Sequence, residues 1–550
     1  MNSPRLICCL LFGILSLNIF FNSSCGQPED PAEKKSGNNK MAGDLPRLGG
    51  IYRYPLMNNP ATLDPAYVQD QYGLAVTRQL FEGLVQYDPH LMVLPALAKT
   101  WQVAENGNAY RFFLRQNARF HNGQPVTVKD VVFSIQRLLR MNPAPAILPH
   151  LIKIDGARAY RNQATDRVKG LIPEDDHALL IRLVTPHAPL LTALGMYQAA
   201  IVPKEEVIRL GKDFGRNPVG SGPFRFVSWD KDHAIQIKQY LDYYAGNALL
   251  EGIEYKIYPG GQIERVLSDF REGDLEEMPV YGKTRQELST VEKLQWFHRP
   301  SLSLLFYGIK GNHPVLKNPD FRRALSLAID REKLVRDVYK GQFEPARTIL
   351  PPGIPAYHRQ NEMVIFDIAA ARDHLRRAAE GLAGDLPSLE IVSGSKSAFA
   401  MSELNFVRES WNQLGISVEV KYITDWARFG DYIKSDAAQI YRYAWFADMP
   451  DPDSFLYPLF ASDSPVNFAG YQNSQVDQML LDARGINDPV ERATMYQQIE
   501  ALVLKSSPVL PLFYLSIDRV YQSNVQGIQL NAIAAELMTY HRIWLKKPTP

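Results

Sequence analysis

Apolar residues recur at helical spacing in residues 74–85, where Leu74, Leu80, Phe81, Leu84 and Val85 share a face and Gly83 lies near the end. That period predicts a helix over 74–85 with Gly83 as its terminator. Residues 101–115 instead read as two strands around Asn106-Gly107, a pair that accepts the positive φ of a tight hairpin turn. Thr127 and Asp130 precede the apolar run Val131, Val132, Phe133 and Ile135. They form a variant capping box, which predicts a helix over 127–140. In the second half, Phe321, Ala324, Leu325, Ala328 and Ile329 keep helical spacing behind Asn318-Pro319-Asp320. Asp330 restarts a second helix, expected to stop at Gly341. Residues 439–447 (QIYRYAWFA) are almost continuously apolar and free of Gly and Pro, as in a buried central strand. The run ends at Asp448, and Asp451-Pro452 offers an N-cap and first helical residue for the next element. Strand and helix signals alternate throughout, so the fold class is α/β with mixed layers.

At 550 residues the chain exceeds a single core. Apolar residues make up 46% and charged residues 22%, an ordinary globular balance. The formal charge is +1, and Arg5 is the one charge in residues 1–24. No overall field therefore draws in nucleic acid or anionic lipid. Residues 6–21 form an apolar stretch behind Arg5, long enough for a signal sequence but short of the roughly 20 residues of a membrane span. Ser23 and Ser24 then precede Cys25, which resembles a bacterial lipobox, although Asn22 stands where that pattern prefers an aliphatic residue. Residues 26–47 are polar and rich in Gly and Pro, as a flexible tether would be. The expected division is a signal peptide over 1–24 and a tether over 25–47. Cys8, Cys9 and Cys25 are the 3 cysteines, so removing the signal leaves no disulfide framework and no thiolate metal cluster.

Catalytic signatures are absent. The chain has no GxSxG, HExxH, GxxxxGK[ST] or GxGxxG, and no histidine pair at i, i+3 or i, i+4. A secreted hydrolase would need a nucleophile with a positioned base, and none is readable. The acids Asp448, Asp451 and Asp453 suggest calcium at first sight, but Pro450 and Pro452 break the spacing of a calcium loop. No metal, no cofactor and no enzymatic activity are expected.

Six passages, in order, resemble the oligopeptide- and dipeptide-binding proteins of bacterial ABC importers. They are TLDP at 62–65 with LFEGLVQYD at 80–88, LPALAKTW at 94–101, YRFFLRQNARFHNGQPVTVKDVVFS at 110–134, PVGSGPFRFVSW at 218–229, FRRALSLAIDREKLVRDVYKG at 321–341, and WFADMPDPDSF at 445–455. The resemblance covers about Leu48 to Leu545 and implies a two-lobed flytrap. Residues 48–84, 184–298 and 513–547 would form the first lobe, 85–183 an additional small domain, and 299–512 the second lobe. The implied partners are a short peptide, the ABC permease and a membrane reached through a lipid anchor. The protein would be a monomer at the periplasm or cell surface.

In that family the peptide's ammonium meets an aspartate after the motif tryptophan, which here is Asp448 behind Trp445, Phe446 and Ala447. Phe446 and Ala447 would offer main-chain hydrogen bonds, with Gln69 to Gln71 opposite, while Trp445 and Tyr443 are candidates for either the site or the core. Dipeptide-specific relatives carry an arginine pair before a helix tryptophan that resembles Trp411; here Met401 and Ser402 stand in those places. The departure favours oligopeptides and leaves open nickel chelates, haem and glutathione, or a receptor or chaperone using the same fold. If Cys25 is acylated, Cys25→Ser abolishes metabolic fatty-acid labelling and releases the protein from the membrane fraction; unchanged labelling removes Cys25 as the anchor.

Overall fold

The computed structural model describes residues 46–104, 106–358, 364–380, 386 and 388–546. Cys25, the signal segment and nearly all of the tether lie outside them. Among the described residues six sheets form, and no helix is long and apolar enough to cross a membrane.

The largest sheet has six strands in the order Glu344–Pro345, Val509–Tyr514, Ser303–Ile309, Ile440–Phe446, Leu389–Ser393 and Val418–Tyr422. Every residue of Ser303–Ile309 is buried. Leu304 and Phe306 enter one core, while Leu305, Tyr307 and Ile309 enter another on the opposite face. A strand covered on both faces reads as a continuous apolar run, because alternation no longer separates core from solvent. The predicted strand at 439–447 is the neighbour Ile440–Phe446, central as expected, although its last residues open outward.

A four-stranded sheet pairs Ile51–Leu56 in parallel with Gly252–Ile257, and a three-stranded sheet places Ser516–Tyr521 between Glu277–Pro279 and Gln295–Pro300. The hairpin forms as predicted, pairing Ala98–Val103 with Ala109–Leu114, and Gly107 takes φ +66° at its turn. The helix after Thr127 spans Val128–Leu139, with the Thr127 N–H donating to the Asp130 carboxylate at 3.0 Å. Asn318 and Asp330 cap Pro319–Leu327 and Arg331–Asp337. The second helix ends four residues before Gly341, whose N–H returns to the Val335 carbonyl at 3.1 Å.

Two expectations need correction. The first helix spans Gln71–Leu80, not 74–85, because the Asp70 carboxylate accepts the Gly73 N–H at 2.7 Å and starts it earlier. It stops at Leu80, whose carbonyl accepts the Gly222 N–H at 2.9 Å. A side chain at Gly220 would sit 1.9 Å from that carbonyl, which is why the PVGSGPF passage needs glycine there. Val85 belongs to the strand Val85–Tyr87. The second correction concerns Asp451-Pro452: the helix begins at Asp453, and Asp451 accepts the Asp453 N–H at 2.9 Å from one residue further out.

Glu500, on the helix Pro489–Ser506, is buried and accepts the N–H groups of Ile349 and Leu350 at 2.8 and 2.7 Å. Burial pushes its carboxyl up from 4.5 to about 7. The folded protein therefore keeps a proton that the unfolded chain releases, so this group's contribution is full below 4.5 and lost as pH rises through about 7. Glu500→Gln is expected to remove that loss, gaining up to about 3 kcal/mol relative to wild type between about pH 5 and pH 8. Urea midpoints of both proteins at the two pH values measure it.

Candidate ligand-binding cleft

The chain leaves the three-stranded sheet at Pro300, enters the six-stranded sheet at Ser303, and returns between Tyr514 and Ser516. The two crossings are bonded to each other: the Ser301 N–H donates to the Leu515 carbonyl at 2.8 Å, and the Leu515 N–H to the Ser303 hydroxyl at 3.1 Å. Beside them opens a cavity of 730 Å³. Its wall takes Phe446 from the six-stranded sheet, Ile517 to Arg519 from the three-stranded sheet, and Gln69 to Gln71 from the start of the first helix. Tyr281, Phe343 and Glu536 also line it.

Gln69, Gln71 and Phe446, three of the residues singled out in the sequence, thus meet at one cavity from positions almost 380 residues apart. Phe446 is 55% exposed. Ala447 is buried, and its N–H already donates to the Leu302 carbonyl at 2.9 Å. Main-chain groups alternate between the two edges of a strand, so those of Phe446 face the other way. On that edge Leu389–Ser393 pairs only with Ile440 to Arg442. Beyond Arg442 the edge has no partner strand among the described residues.

Tyr443 and Trp445 lie outside the cavity wall. Tyr443 packs with Phe306, Trp426, Phe429 and Phe468, and the Trp445 indole N–H donates to the Ser454 carbonyl at 2.7 Å. Trp411 is buried and donates to the Leu325 carbonyl at 2.9 Å, while Met401 and Ser402 are exposed on its helix.

The three neighbouring acids have different fates. Asp453 forms a bidentate pair with Arg484 at 2.7 and 2.9 Å, and Asp451 another with Arg492 at 2.7 Å for both bonds. Buried acids persist when matched in this way. Arg484 holds the Asp453 carboxyl far below the usual carboxylate range despite its burial. Asp448 has no such partner: no cation or side-chain donor reaches its carboxylate among the described residues. Like Ala447 it is not among the residues that line the 730 Å³ cavity; its side chain is exposed, yet the surrounding protein strips enough water to raise its carboxyl above the ordinary value. Its charge also acts on Tyr197, a wall residue.

Sequence reasoning missed Tyr281, Phe343, Glu536 and the strand Ser516–Tyr521. No local motif marks them, because long-range sheet pairing alone brings them to the cleft. The lone His121 is structural: its Nδ1 accepts the Gly220 N–H at 3.2 Å and its Nε2 donates to the Gly222 carbonyl at 3.1 Å. Among the described residues no group of His, Cys, Asp and Glu is arranged to hold a metal ion.

An open cavity between two sheets, lined by polar and apolar residues, can take up a solute. The chain belongs to the bacterial extracellular solute-binding proteins, family 5, whose model matches residues 93–466. It is 27% identical over 493 residues to the probable di/tripeptide-binding protein 5 of Pseudomonas aeruginosa, covering 85% of this chain and 90% of the relative. It is 26% identical over 479 residues to the glutathione-binding protein GsiB of Salmonella typhi, covering 86% and 90%. HbpA2 from Haemophilus parasuis shares the fold with a TM-score of 0.78 at 23% identity, covering 90% of this chain and all of the other. The protein is accordingly a non-enzymatic solute-binding component of an ABC importer, with a two-lobed mixed α/β fold.

Neutralising the two kinds of acid should have opposite effects on the ligand-free protein. Asp453→Asn strands the buried Arg484 and costs about 3 kcal/mol, whereas Asp448→Asn, which strands nothing, leaves the melting temperature unchanged or higher. Thermal melts of the two variants beside wild type test this directly.

Proposed function

We propose that the protein captures short peptides in this cleft and delivers them to an ABC permease. The observation that carries the reading is Asp448, an unpaired and partly desolvated carboxylate beside a strand edge that ends without a partner. A carboxylate in such a place is costly alone and favourable once a cation arrives. A peptide supplies both missing partners, an ammonium for Asp448 and a backbone for the open edge. The Phe446 N–H and carbonyl would hold the peptide as an added strand, with Ala447 fixing that strand end through its bond to Leu302, and Gln69 and Gln71 would meet it from the opposite wall. Main-chain recognition of this kind is independent of peptide sequence. With Met401 and Ser402 in place of an arginine pair, no fixed cation there captures the peptide's carboxylate, which favours oligopeptides over strict dipeptides.

In this reading 48–84, 184–298 and 513–547 act as the first lobe, 85–183 as its additional domain and 299–512 as the second lobe. The paired crossings at Ser301 and Leu515 serve as the hinge. Ligand bound to both walls stabilises the closed state, the state the permease reads. The protein works as a monomer held at the membrane by acylated Cys25, facing the periplasm or cell surface.

Asp448→Ala is expected to keep the fold and weaken peptide binding by roughly 2–5 kcal/mol, which is about 30-fold to several thousand-fold in affinity. N-acetylation of the peptide removes the cation from the other side. It should weaken binding to wild type strongly and to Asp448→Ala hardly at all, closing a double-mutant cycle. Calorimetry on the four combinations decides it, and equal losses from acetylation in both proteins would sink the pairing.

A further inference from the structure

A second cavity of 160 Å³ adjoins the cleft. The two share Gln71, Pro279, Tyr281, Arg519 and Glu536, so the smaller one is a side pocket of the larger. Its own walls are Tyr54, Pro55, Leu56, Met57 and Tyr72, apolar or aromatic throughout. Tyr281, 51% exposed, stands where the two cavities meet.

The charges around this pocket do not balance. Arg519 is 4% exposed, pairs with Glu277 at 2.7 Å and lies 5.0 Å from the centroid of the Tyr54 ring. Its Nη2 is buried without a hydrogen-bond partner. Arg519 and Glu277 therefore cancel, and Glu536 is left over. No ion pair or side-chain donor meets the Glu536 carboxylate among the described residues, and Arg519 acts on it only through space. Burial raises its carboxyl above the ordinary glutamate value, with Arg519 and its own N–H offsetting the rise in part. The pocket thus has one excess negative charge within apolar and aromatic walls.

A long basic side chain answers each of these features. Its aliphatic stem packs along the apolar wall while the charged end reaches the carboxylate, and aromatic faces attract a cation where they repel an anion. An acidic side chain would meet Glu536 as a like charge, and a neutral one would leave the carboxylate desolvated without a partner. We infer that this side pocket is a subsite for a lysine or arginine side chain of the bound peptide, with Glu536 as its counter-ion. The inference rests on the peptide reading above and adds to it a preference among peptides.

The test uses pentapeptides with free N-termini, an all-alanine parent and variants carrying lysine, norleucine or glutamate at each position in turn. Norleucine keeps the aliphatic stem of lysine without the charge. Calorimetry with the full mature protein should find one position where lysine binds roughly tenfold or more tighter than norleucine. Glu536→Gln should shrink that lysine-to-norleucine preference to within about twofold. Met57→Trp, which narrows the side pocket alone, should weaken lysine and norleucine peptides at that position but not the parent. Equal affinity for lysine and norleucine at every position overturns the subsite and leaves peptide binding standing. So does a Glu536→Gln loss shared equally by all peptides. If no peptide binds, the peptide reading falls and the subsite with it.

Discussion

Two extended segments carry the chain between its three-stranded and six-stranded sheets, and they are hydrogen-bonded to each other through Ser301, Ser303 and Leu515. Two walls of the cleft are referred to that junction. Ser303 is the register partner of Phe446, which fixes the open strand edge on one side. One residue beyond Leu515 begins the strand that brings Ile517, Asp518 and Arg519 to the other wall. Two short antiparallel crossings are the kind of junction at which a hinge can bend, so sheets joined in this way can change their mutual angle while each keeps its own packing.

The electrostatics of the molecule divide into matched and unmatched acids. Glu403 accepts two bonds from Arg442 at 2.9 and 2.7 Å and the hydroxyls of Tyr307 and Tyr339, leaving no oxygen idle in a fully buried site. Asp453, Asp451 and Glu277 have arginines of their own. Asp518 at the cleft wall is likewise occupied, by Arg285, by His298 at 2.8 Å and by the Ser516 hydroxyl at 2.5 Å. Against that background Asp448 and Glu536 differ in kind rather than degree. Beside acids matched with arginines, Asp448 and Glu536 stand unpaired among the described residues, where a ligand's charge can do what a side chain does elsewhere.

Local signals were legible where the physics is local. The Thr127–Asp130 box, the Asn106-Gly107 hairpin and the caps at Asn318 and Asp330 each depend on hydrogen bonds spanning a few residues, and each is visible in the letters. The helix near 74–85 was misplaced because both of its ends are set by partners the period cannot register: Asp70 at the start, and Gly222 from 142 residues away at the stop. Asp451 was read as a cap and does receive a helix N–H, yet its bidentate pair with Arg492 was invisible in sequence.

The sequence by itself determined the mixed α/β class, the absence of catalytic signatures and the central strand that ends at Asp448, since composition, motif and apolar runs are properties of contiguous residues. It also carried enough of the family's passages to point to a solute-binding protein. Tertiary structure alone decided which acids are matched and which are not, because pairing joins residues such as Asp453 and Arg484 or Glu277 and Arg519 across 31 and 242 positions. It alone brought Gln69, Phe446 and Glu536 to one cavity and set the side pocket beside it. Charge balance is a sum over neighbours in space, and a chain's neighbours in space are not known until it has folded.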